Sequence, residues 1–308
     1  MSANSHTDVA PSPRCAVVLA VYNGMEWLAG LMDSVLQQRG VAVTLFVSVD
    51  PSTDGSGAYV ARCAADDERI VLLPPRPVAD GAAGNFYRLL TEVDLDGFDY
   101  LAMADQDDIW LRGKLLRAIT MMKKNRARAY SSNVIALWQN GRKRPIDKAQ
   151  PQRRWDFLFE AAGPGCTYVF DVALARQIQA FVAAGGAQVR AVDQHDWLLY
   201  AYVRSRGLRW YIDSRPSLYY RQHDSNYLGA NIGWSMARRR LEMIGNGWYR
   251  CQAQLIARLC VSGYQPFVTA VFGDNWWGGC YLLCHIGVTR RRLRDRVILA
   301  CACILNKF

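Results

Sequence analysis

Three absences narrow the classes of protein to which this 308-residue chain belongs. Its nine cysteines are odd in number and include no CxxC pair, and residues 1–13 lack the apolar core of a signal peptide. We therefore expect reduced thiols in a cytosolic protein, and neither a disulfide framework nor a zinc ribbon. Residues 259–289 carry one charge, but Pro266 and five glycines interrupt them, so we expect no membrane-spanning helix there.

Lysine is missing from the first 108 residues. A nucleotidyltransferase, which also uses a carboxylate-bound metal on an α/β sheet, would place a lysine in a glycine-rich triphosphate loop near its first strand. The absence therefore counts against that class.

Charge is divided unevenly along the chain. Residues 1–108 carry 6 basic and 16 acidic side chains, residues 109–154 carry 13 and 1, and residues 155–308 carry 18 and 10. An acidic part beside a basic part suggests a cation or nucleotide site that faces a surface for anionic partners. An anionic acceptor, an anionic membrane surface and a solvated face all fit the basic stretch. No helix-turn-helix, zinc-finger or RNA-binding aromatic motif accompanies it, so we expect no nucleic acid.

Apolar runs at 15–21, 43–49, 70–73 and 100–104 predict four strands, and the segments between them are spaced like helices. This alternation predicts an α/β fold with a mostly parallel sheet covered by helices. In such sheets ligands bind beyond the carboxyl ends of the strands. Polar loops at 22–24, 50–54 and 105–108 follow three of the strands, so we expect them to converge on one site.

The loop after the fourth predicted strand carries three carboxylates in four residues: Asp105, Asp107 and Asp108. Carboxylates this close repel each other if they are dry and unpaired. Mg²⁺ or Mn²⁺ together with a phosphate-bearing ligand would compensate the charge. The residues alone equally allow a solvated acidic turn that caps the helix predicted over 111–122.

Three motifs occur in the order typical of one enzyme family: residues 18–24 (Val-Leu-Ala-Val-Tyr-Asn-Gly), 47–55 (Val-Ser-Val-Asp-Pro-Ser-Thr-Asp-Gly) and 105–110 (Asp-Gln-Asp-Asp-Ile-Trp). Over residues 14–230 the sequence resembles inverting family-2 glycosyltransferases of the GT-A fold, and most of all bacterial rhamnosyltransferases that build lipopolysaccharide or surface polysaccharide. The resemblance implies a Rossmann-like GT-A domain at 14–232, a disordered tail at 1–13 and a C-terminal helical region at 233–308.

The resemblance assigns donor-side roles to particular residues. Those implied to bind the donor nucleotide are Tyr22, Asn23, Gly24, Asp50, Asn85 and Asp105. Asp107 and His223 would hold Mg²⁺ or Mn²⁺, which would neutralise the diphosphate of the leaving group. Without the resemblance, Asp50 also fits ordinary turn chemistry and Asn85 a simple helix cap.

An inverting transfer needs a general base that deprotonates the acceptor hydroxyl. The His-Asp-Trp segment at 195–197 matches the family's catalytic motif, so we select Asp196 as the base, with Asp193 as the second choice. Trp110 fits core packing as well as a sugar platform, and Asp196 alone would also fit an acid at a helix N-terminus. The residues placed near the acceptor or the donor sugar are Asp108, Trp110, Gly165, Cys166, His195, Trp197 and Arg221.

The expected function is therefore metal-dependent transfer of L-rhamnose from dTDP-L-rhamnose to an anionic lipopolysaccharide core or related glycan acceptor. We expect this at the cytosolic face of the bacterial inner membrane. A nucleotidyltransferase and a non-catalytic membrane-associated adaptor are the alternatives. In the C-terminal region, Trp277, the basic residues 290–296 and the apolar residues 297–305 fit a helix lying on a membrane, and equally a helix packed on the catalytic domain.

Overall fold

A computed structural model describes residues 11–79, 81–223, 245–273, 277–305 and 308. The strands are β1 Arg14–Val21, β2 Ala42–Val49, β3 Ile70–Leu72, β4 Tyr100–Asp105, β5 Ile109–Trp110, β6 Ala129–Ser132, β7 Val134–Trp138, β8 Lys143–Ile146, β9 Val169–Asp171, β10 Trp210–Asp213 and β11 Leu218–Gln222. The helices are α1 Met25–Leu36, α2 Ser56–Asp66, α3 Gly81–Glu92, α4 Lys114–Asn125, α5 Val172–Arg190, α6 His195–Ser205, α7 Trp248–Cys260, α8 Pro266–Phe272, α9 Gly278–Cys284 and α10 Leu293–Ile304.

The main sheet has seven strands in the order β10-β6-β9-β4-β1-β2-β3. Strand β1 lies inside it, parallel to β2 and β4, and its residues 15–19 are fully buried. That burial on both faces explains why β1 reads as a continuous apolar run. Strand β9 runs antiparallel to β4 and β6, while β3 extends the parallel part. The predicted mostly parallel α/β sheet flanked by helices is confirmed.

A second sheet, in the order β5-β11-β7-β8, begins directly after the acidic turn. Ile109 and Trp110 pair antiparallel with Tyr219 and Leu218. Because these two residues are held in a strand, helix α4 begins at Lys114, and the start that we predicted at residue 111 is wrong. The pairing brings the end of β11, which leads to His223, close to the acidic turn.

The C-terminal helices α7 to α10 pack into the same hydrophobic core as one face of the main sheet. That core joins Ala16 of β1 and Phe86 of α3 to Ile256, Phe267 and Leu299 of the C-terminal helices. Within the C-terminal region predicted to be helical, α7 begins at Trp248, and residues 233–244 lie outside the described residues. None of the helices in the described ranges combines the length and apolarity that a membrane crossing requires.

Several cations of the basic stretch make contacts inside the protein. The prediction of an acceptor or lipid surface along that stretch did not anticipate these contacts. Lys114 is only 2% exposed, and Arg128 forms an ion pair with Asp171 at 2.7 Å. Arg117 donates two hydrogen bonds, of 2.7 and 3.0 Å, to Asp213, which is 1% exposed and also accepts from Tyr130. These charges are used for internal pairing, since a buried carboxylate needs a partner.

Replacing Asp213 by alanine leaves the Arg117 guanidinium and the Tyr130 hydroxyl without their shared acceptor. We expect Asp213→Ala to lower the free energy of unfolding by about 3 kcal/mol, since removing one partner of a buried ion pair strands the other. Urea denaturation measures the change. Asp96→Ala breaks the exposed Asp96–Arg176 pair and is the matched control, with an expected loss below about 1 kcal/mol. Equal losses in the two variants would contradict the interpretation.

Candidate functional site

The loop after β1 is fixed to its neighbours by backbone hydrogen bonds. The Tyr22 N–H donates to Gln106 Oε1 and the Gln106 amide donates back to the Tyr22 carbonyl, both at 2.9 Å. The Gly24 N–H donates to Ser56 Oγ at 2.9 Å. The Met25 N–H donates to Asp54 Oδ2, also at 2.9 Å. Three loops at the carboxyl edge of the sheet are thus joined into one surface, as expected.

Gly24 occupies a position that no larger residue fits without rearrangement. A Cβ there would lie 2.4 Å from Gln106 Oε1, and both ends of that amide are engaged by Tyr22. The phenol of Tyr22 is 54% exposed beside this close contact. The loop therefore presents an exposed aromatic ring two residues before a glycine that packs tightly against Gln106.

Asp50 and Asn85 lie deeper in the same edge. Asp50, at the end of β2, is 4% exposed, and Asn85 is 2% exposed. Helix α3 begins at Gly81, so Asn85 lies inside the helix and the cap suggested for it is wrong. The Asn85 amide donates to the Ser48 carbonyl at 3.1 Å, while its Oδ1 is buried and has no hydrogen-bond partner within the described ranges.

Asp107 and His223 meet across the acidic turn. His223 Nε2 lies 2.8 Å from Asp107 Oδ2, and the two side chains are 9% and 14% exposed. The His223 ring stacks on Trp27 of α1, with the ring centroids 4.2 Å apart. An imidazole nitrogen and a carboxylate oxygen thus converge on one point, although 116 positions separate the two residues.

The other two carboxylates of the acidic turn have raised pKa values. Burial, and next the charge of Asp107, raise the pKa of Asp105 to about 7. Asp108 is 1% exposed, and its pKa is raised well above the usual range by burial and then by Asp107 and Asp105. Neither oxygen of Asp108 has a hydrogen-bond partner among the residues that the structure describes. Oxygens of both carboxylates and the Cys166 thiol lie within 4.8 Å of one another.

A buried lysine lies under the acidic turn. The Lys114 ammonium donates to the Cys166 carbonyl at 2.6 Å and lies 3.0 Å from the centroid of the Trp110 ring. Burial lowers its pKa to about 7, against the charges of Asp108 and Asp105. Sequence reasoning had placed Lys114 in the basic stretch and missed this position. No periodic pattern signalled the contact, because Trp110 ends a strand and Lys114 begins the following helix.

The donor set fits a hard divalent cation. Asp107 and His223 present one oxygen and one nitrogen at the same point, and Asp105 and the unpartnered Asp108 supply further carboxylate oxygens behind it. Carboxylates and imidazole are ligands of Mg²⁺ and Mn²⁺, and a buried carboxylate without partners requires compensation. The possible ligand atoms that lie closest together belong to Asp105, Asp108 and Cys166, while Asp107 and His223 contact each other, so the assignment of the cation to Asp107 and His223 stays a prediction.

Asp196 lies in the first turn of α6 beside the turn Gly165–Thr167. Its Oδ1 accepts a hydrogen bond from the Trp197 N–H at 2.8 Å, and burial raises its pKa to about 6. A Cβ at Gly165 would lie 3.3 Å from the Asp196 Cβ and 2.8 Å from His195 Nε2. Glycine there lets the backbone approach both side chains. Burial lowers the pKa of His195 to about 3, so its imidazole is neutral.

Other residues assigned to the sugar or acceptor side differ in accessibility. Trp110 and Trp197 are 3% and 2% exposed, and Trp197 Nε1 donates to the Phe157 carbonyl. Both indoles belong to the core, so Trp110 packs and does not form a sugar platform. Cys166 is fully buried, while Arg221 lies on β11 two residues before His223.

Comparison with known proteins agrees with this geometry. The sequence profile described as Glycosyl transferase family 2 matches residues 16–169. The chain is 38% identical to dTDP-rhamnosyl transferase RfbG of Shigella flexneri over 291 residues, which are 94% of this chain and 100% of that protein.

Two solved structures share the fold. S. aureus TarS 1–349 aligns with a TM-score of 0.55 at 12% identity, covering 96% of this chain and 91% of that one. The mannosyltransferase PcManGT from Pyrobaculum calidifontis, in complex with GDP-Man and Mn²⁺, aligns with a TM-score of 0.53 at 16% identity, covering 97% and 82%.

A reaction in which Asp196 accepts a proton will depend on pH through this carboxyl. The raised pKa of about 6 means that the active carboxylate is lost as the pH falls through 6. We expect kcat to be constant near pH 8 and to fall about tenfold per pH unit below pH 6. The measurement is a pH–rate profile, with ligand binding followed by calorimetry over the same range. A rate unchanged between pH 8 and pH 5 would exclude Asp196 as the base.

Proposed function

The chain belongs to glycosyl transferase family 2, and from this we propose that it transfers L-rhamnose from dTDP-L-rhamnose to a hydroxyl of a lipopolysaccharide core or related surface glycan. Membership of this family makes the chain a glycosyltransferase of the GT-A fold, and not a nucleotidyltransferase or a membrane-associated adaptor, the two alternatives. The observation that carries the proposal is that His223 contacts Asp107 of the acidic turn, while Asp196 lies near enough to Asp105 for its charge to act on that carboxyl. The choice of rhamnose is supported by the full-length similarity to RfbG.

We propose that the loop after β1 and the end of β2 hold the nucleoside. Tyr22, Asn23 and Gly24 line the pyrimidine ring, and Asp50 accepts from its ring N–H. Support comes from the exposed phenol beside the glycine contact and from the position of Asp50 at the neighbouring strand end. Asn85 contributes its unpartnered Oδ1 at the same edge.

The diphosphate lies, in this proposal, over the acidic turn. Asp107 and His223 would hold Mg²⁺ or Mn²⁺, and Asp105 would contact the cation or the ribose. Such an ion would supply the positive charge that makes the diphosphate a better leaving group. Arg221, two residues before His223, adds positive charge on this side.

On the acceptor side, Asp196 takes the proton of the acceptor hydroxyl while that oxygen attacks the anomeric carbon. The bond between the anomeric carbon and the diphosphate oxygen breaks as the new glycosidic bond forms, and one displacement inverts the configuration. A carboxyl whose pKa is near 6 is ionised at neutral pH yet basic enough to accept a proton. Gly165, Cys166 and the neutral His195 form the adjoining wall.

Sugar transfer from a panel of nucleoside diphosphate sugars tests the function. We expect activity with dTDP-L-rhamnose and a lipopolysaccharide core acceptor, and its loss when EDTA removes the divalent cation. Asp196→Asn should lower transfer by about 10² to 10⁴. Calorimetry should find dTDP binding to that variant unchanged. Preference for another donor would overturn the rhamnose assignment, full activity in EDTA the metal role, and an active Asp196→Asn the base.

We also propose that the protein sits peripherally on the cytosolic face of the bacterial inner membrane, through the outward side of α10. Leu293, Val297 and Ile304 share that side and are 69%, 54% and 70% exposed, with Arg294 beside them. Arg291 from the same basic cluster is instead 4% exposed and paired internally with Asp156.

An anionic lipid surface is the occupant that fits this side of α10 best. The chain has a net charge of +10, which is complementary to anionic headgroups. The alternative, a second copy of the chain, would need about 800 Å² per partner. A helix of 12 residues, about 18 Å long, offers too little surface for that.

Sedimentation with vesicles tests the membrane contact. We expect binding to phosphatidylglycerol vesicles, weaker binding to phosphatidylcholine vesicles, and loss of at least tenfold in affinity for Val297→Glu/Ile304→Glu, because buried apolar area is replaced by charge that anionic lipid repels. Leu116→Glu alters an exposed leucine of α4 and serves as control. Unchanged vesicle binding by the double variant, or self-association that the double variant abolishes, would contradict the proposal.

A further inference from the structure

A glutamine of the C-terminal region makes two hydrogen bonds to the segment between α5 and α6, whose Val192 carbonyl also accepts from the Tyr87 hydroxyl of α3 at 3.0 Å. Gln252, on α7 and 6% exposed, donates from Nε2 to the Ala191 carbonyl at 3.1 Å and accepts from the Asp193 N–H at 3.0 Å. One side-chain amide thus satisfies two backbone groups that flank Val192. Residue 193 lies three positions before Asp196, so any shift of this segment moves the start of α6.

Trp248 adds a third hydrogen bond to the same segment. Its Nε1 donates to Asp193 Oδ2 at 2.6 Å. The Asp193 carboxylate therefore accepts a hydrogen bond from the Trp248 indole, and the Asp193 backbone N–H donates one to Gln252. These hydrogen bonds give Asp193 a structural role, because they hold the segment that leads into α6. Asp196, by contrast, faces Gly165.

The other side of Asp196 is tied to the C-terminal region as well. Arg291 Nη2 donates to the Ala161 carbonyl at 2.6 Å, and the Ala162 N–H donates to the Tyr168 hydroxyl at 3.1 Å. The Tyr168 hydroxyl in turn lies 3.3 Å from the Asp196 carbonyl oxygen. Both chain segments that flank the base are therefore attached to residues beyond position 245.

We propose that Gln252 is a positioning residue for the general base, and that the C-terminal helices hold Asp196 in place for attack by the acceptor. This inference rests on the proposed function, in which Asp196 deprotonates the acceptor. A base must be placed to within a fraction of an ångström, and misplacement by about 1 Å costs about 10²-fold in rate. The donor site, built from the loops after β1, β2 and β4, has no part in these contacts.

Replacing Gln252 by methionine keeps the length and shape of the side chain and removes both hydrogen bonds. We expect Gln252→Met to lower kcat for transfer 10- to 100-fold while the KM for donor and the Kd for dTDP stay at the wild-type values. Gln254→Met is the matched control: Gln254 lies on the same helix, and its amide donates to the Phe272 carbonyl at 2.9 Å, within the C-terminal region itself. We expect this control to lower Tm by a similar amount and to keep the wild-type kcat.

Trp248→Phe provides a second variant in case Gln252→Met does not fold. It keeps an aromatic ring, loses only the Asp193 bond, and should lower kcat severalfold with donor KM unchanged. A wild-type kcat in Gln252→Met or Trp248→Phe, or an equal fall in Gln252→Met and Gln254→Met, would overturn the inference. These results differ from failure of the proposed function, in which the wild type itself would not transfer rhamnose or Asp196→Asn would remain active.

Discussion

Mutual repulsion among Asp105, Asp107 and Asp108 is the constraint on which the rest of the site depends. Three carboxylates lie within four residues at the end of a buried strand, and burial raises the pKa of two of them. Two side chains lie next to the acidic turn: the Lys114 ammonium beneath it and the His223 imidazole above it. In the proposed function, a bound cation would compensate the carboxylates that these two side chains leave without a partner.

In the folded chain, part of the positive charge of the basic stretch is used for contacts inside the protein. Lys114, Arg117 and Arg128 follow the acidic turn in sequence and pair with buried or half-buried oxygens of Cys166, Asp213 and Asp171. A run of like charges is usually solvated, yet here it anchors one edge of the main sheet and the floor of the site. Composition alone therefore overstates how much of this charge is available to an anionic partner.

The sequence sufficed to predict those parts of the molecule that are specified locally. The buried run of β1, the alternation of strands and helices, and the convergence of the loops at 22–24, 50–54 and 105–108 all follow from periodicity and from the rule for parallel sheets.

What it could not reveal are contacts between side chains far apart in the chain. Gln106 bonds to Tyr22, Lys114 to Cys166 and Gln252 to Ala191, over separations of 84, 52 and 61 residues. Periodicity carries no information about such pairs. The start of α4 was misplaced for the same reason, because Trp110 pairs with Leu218.

The shared core of the sheet and the C-terminal helices bears on how such enzymes diversify. Ile256, Phe267 and Leu299 lie in the same hydrophobic core as Ala16 and Phe86. The polypeptide therefore cannot be divided near residue 232 without exposing that core. If everything after that point were exchanged for the C-terminal region of a relative, the hydrophobic core would lose side chains, and the proposed base Asp196 would lose the residues that hold it in place. An exchange of that region between relatives would therefore require compensating substitutions in β1 and α3, whose side chains fill the same interior.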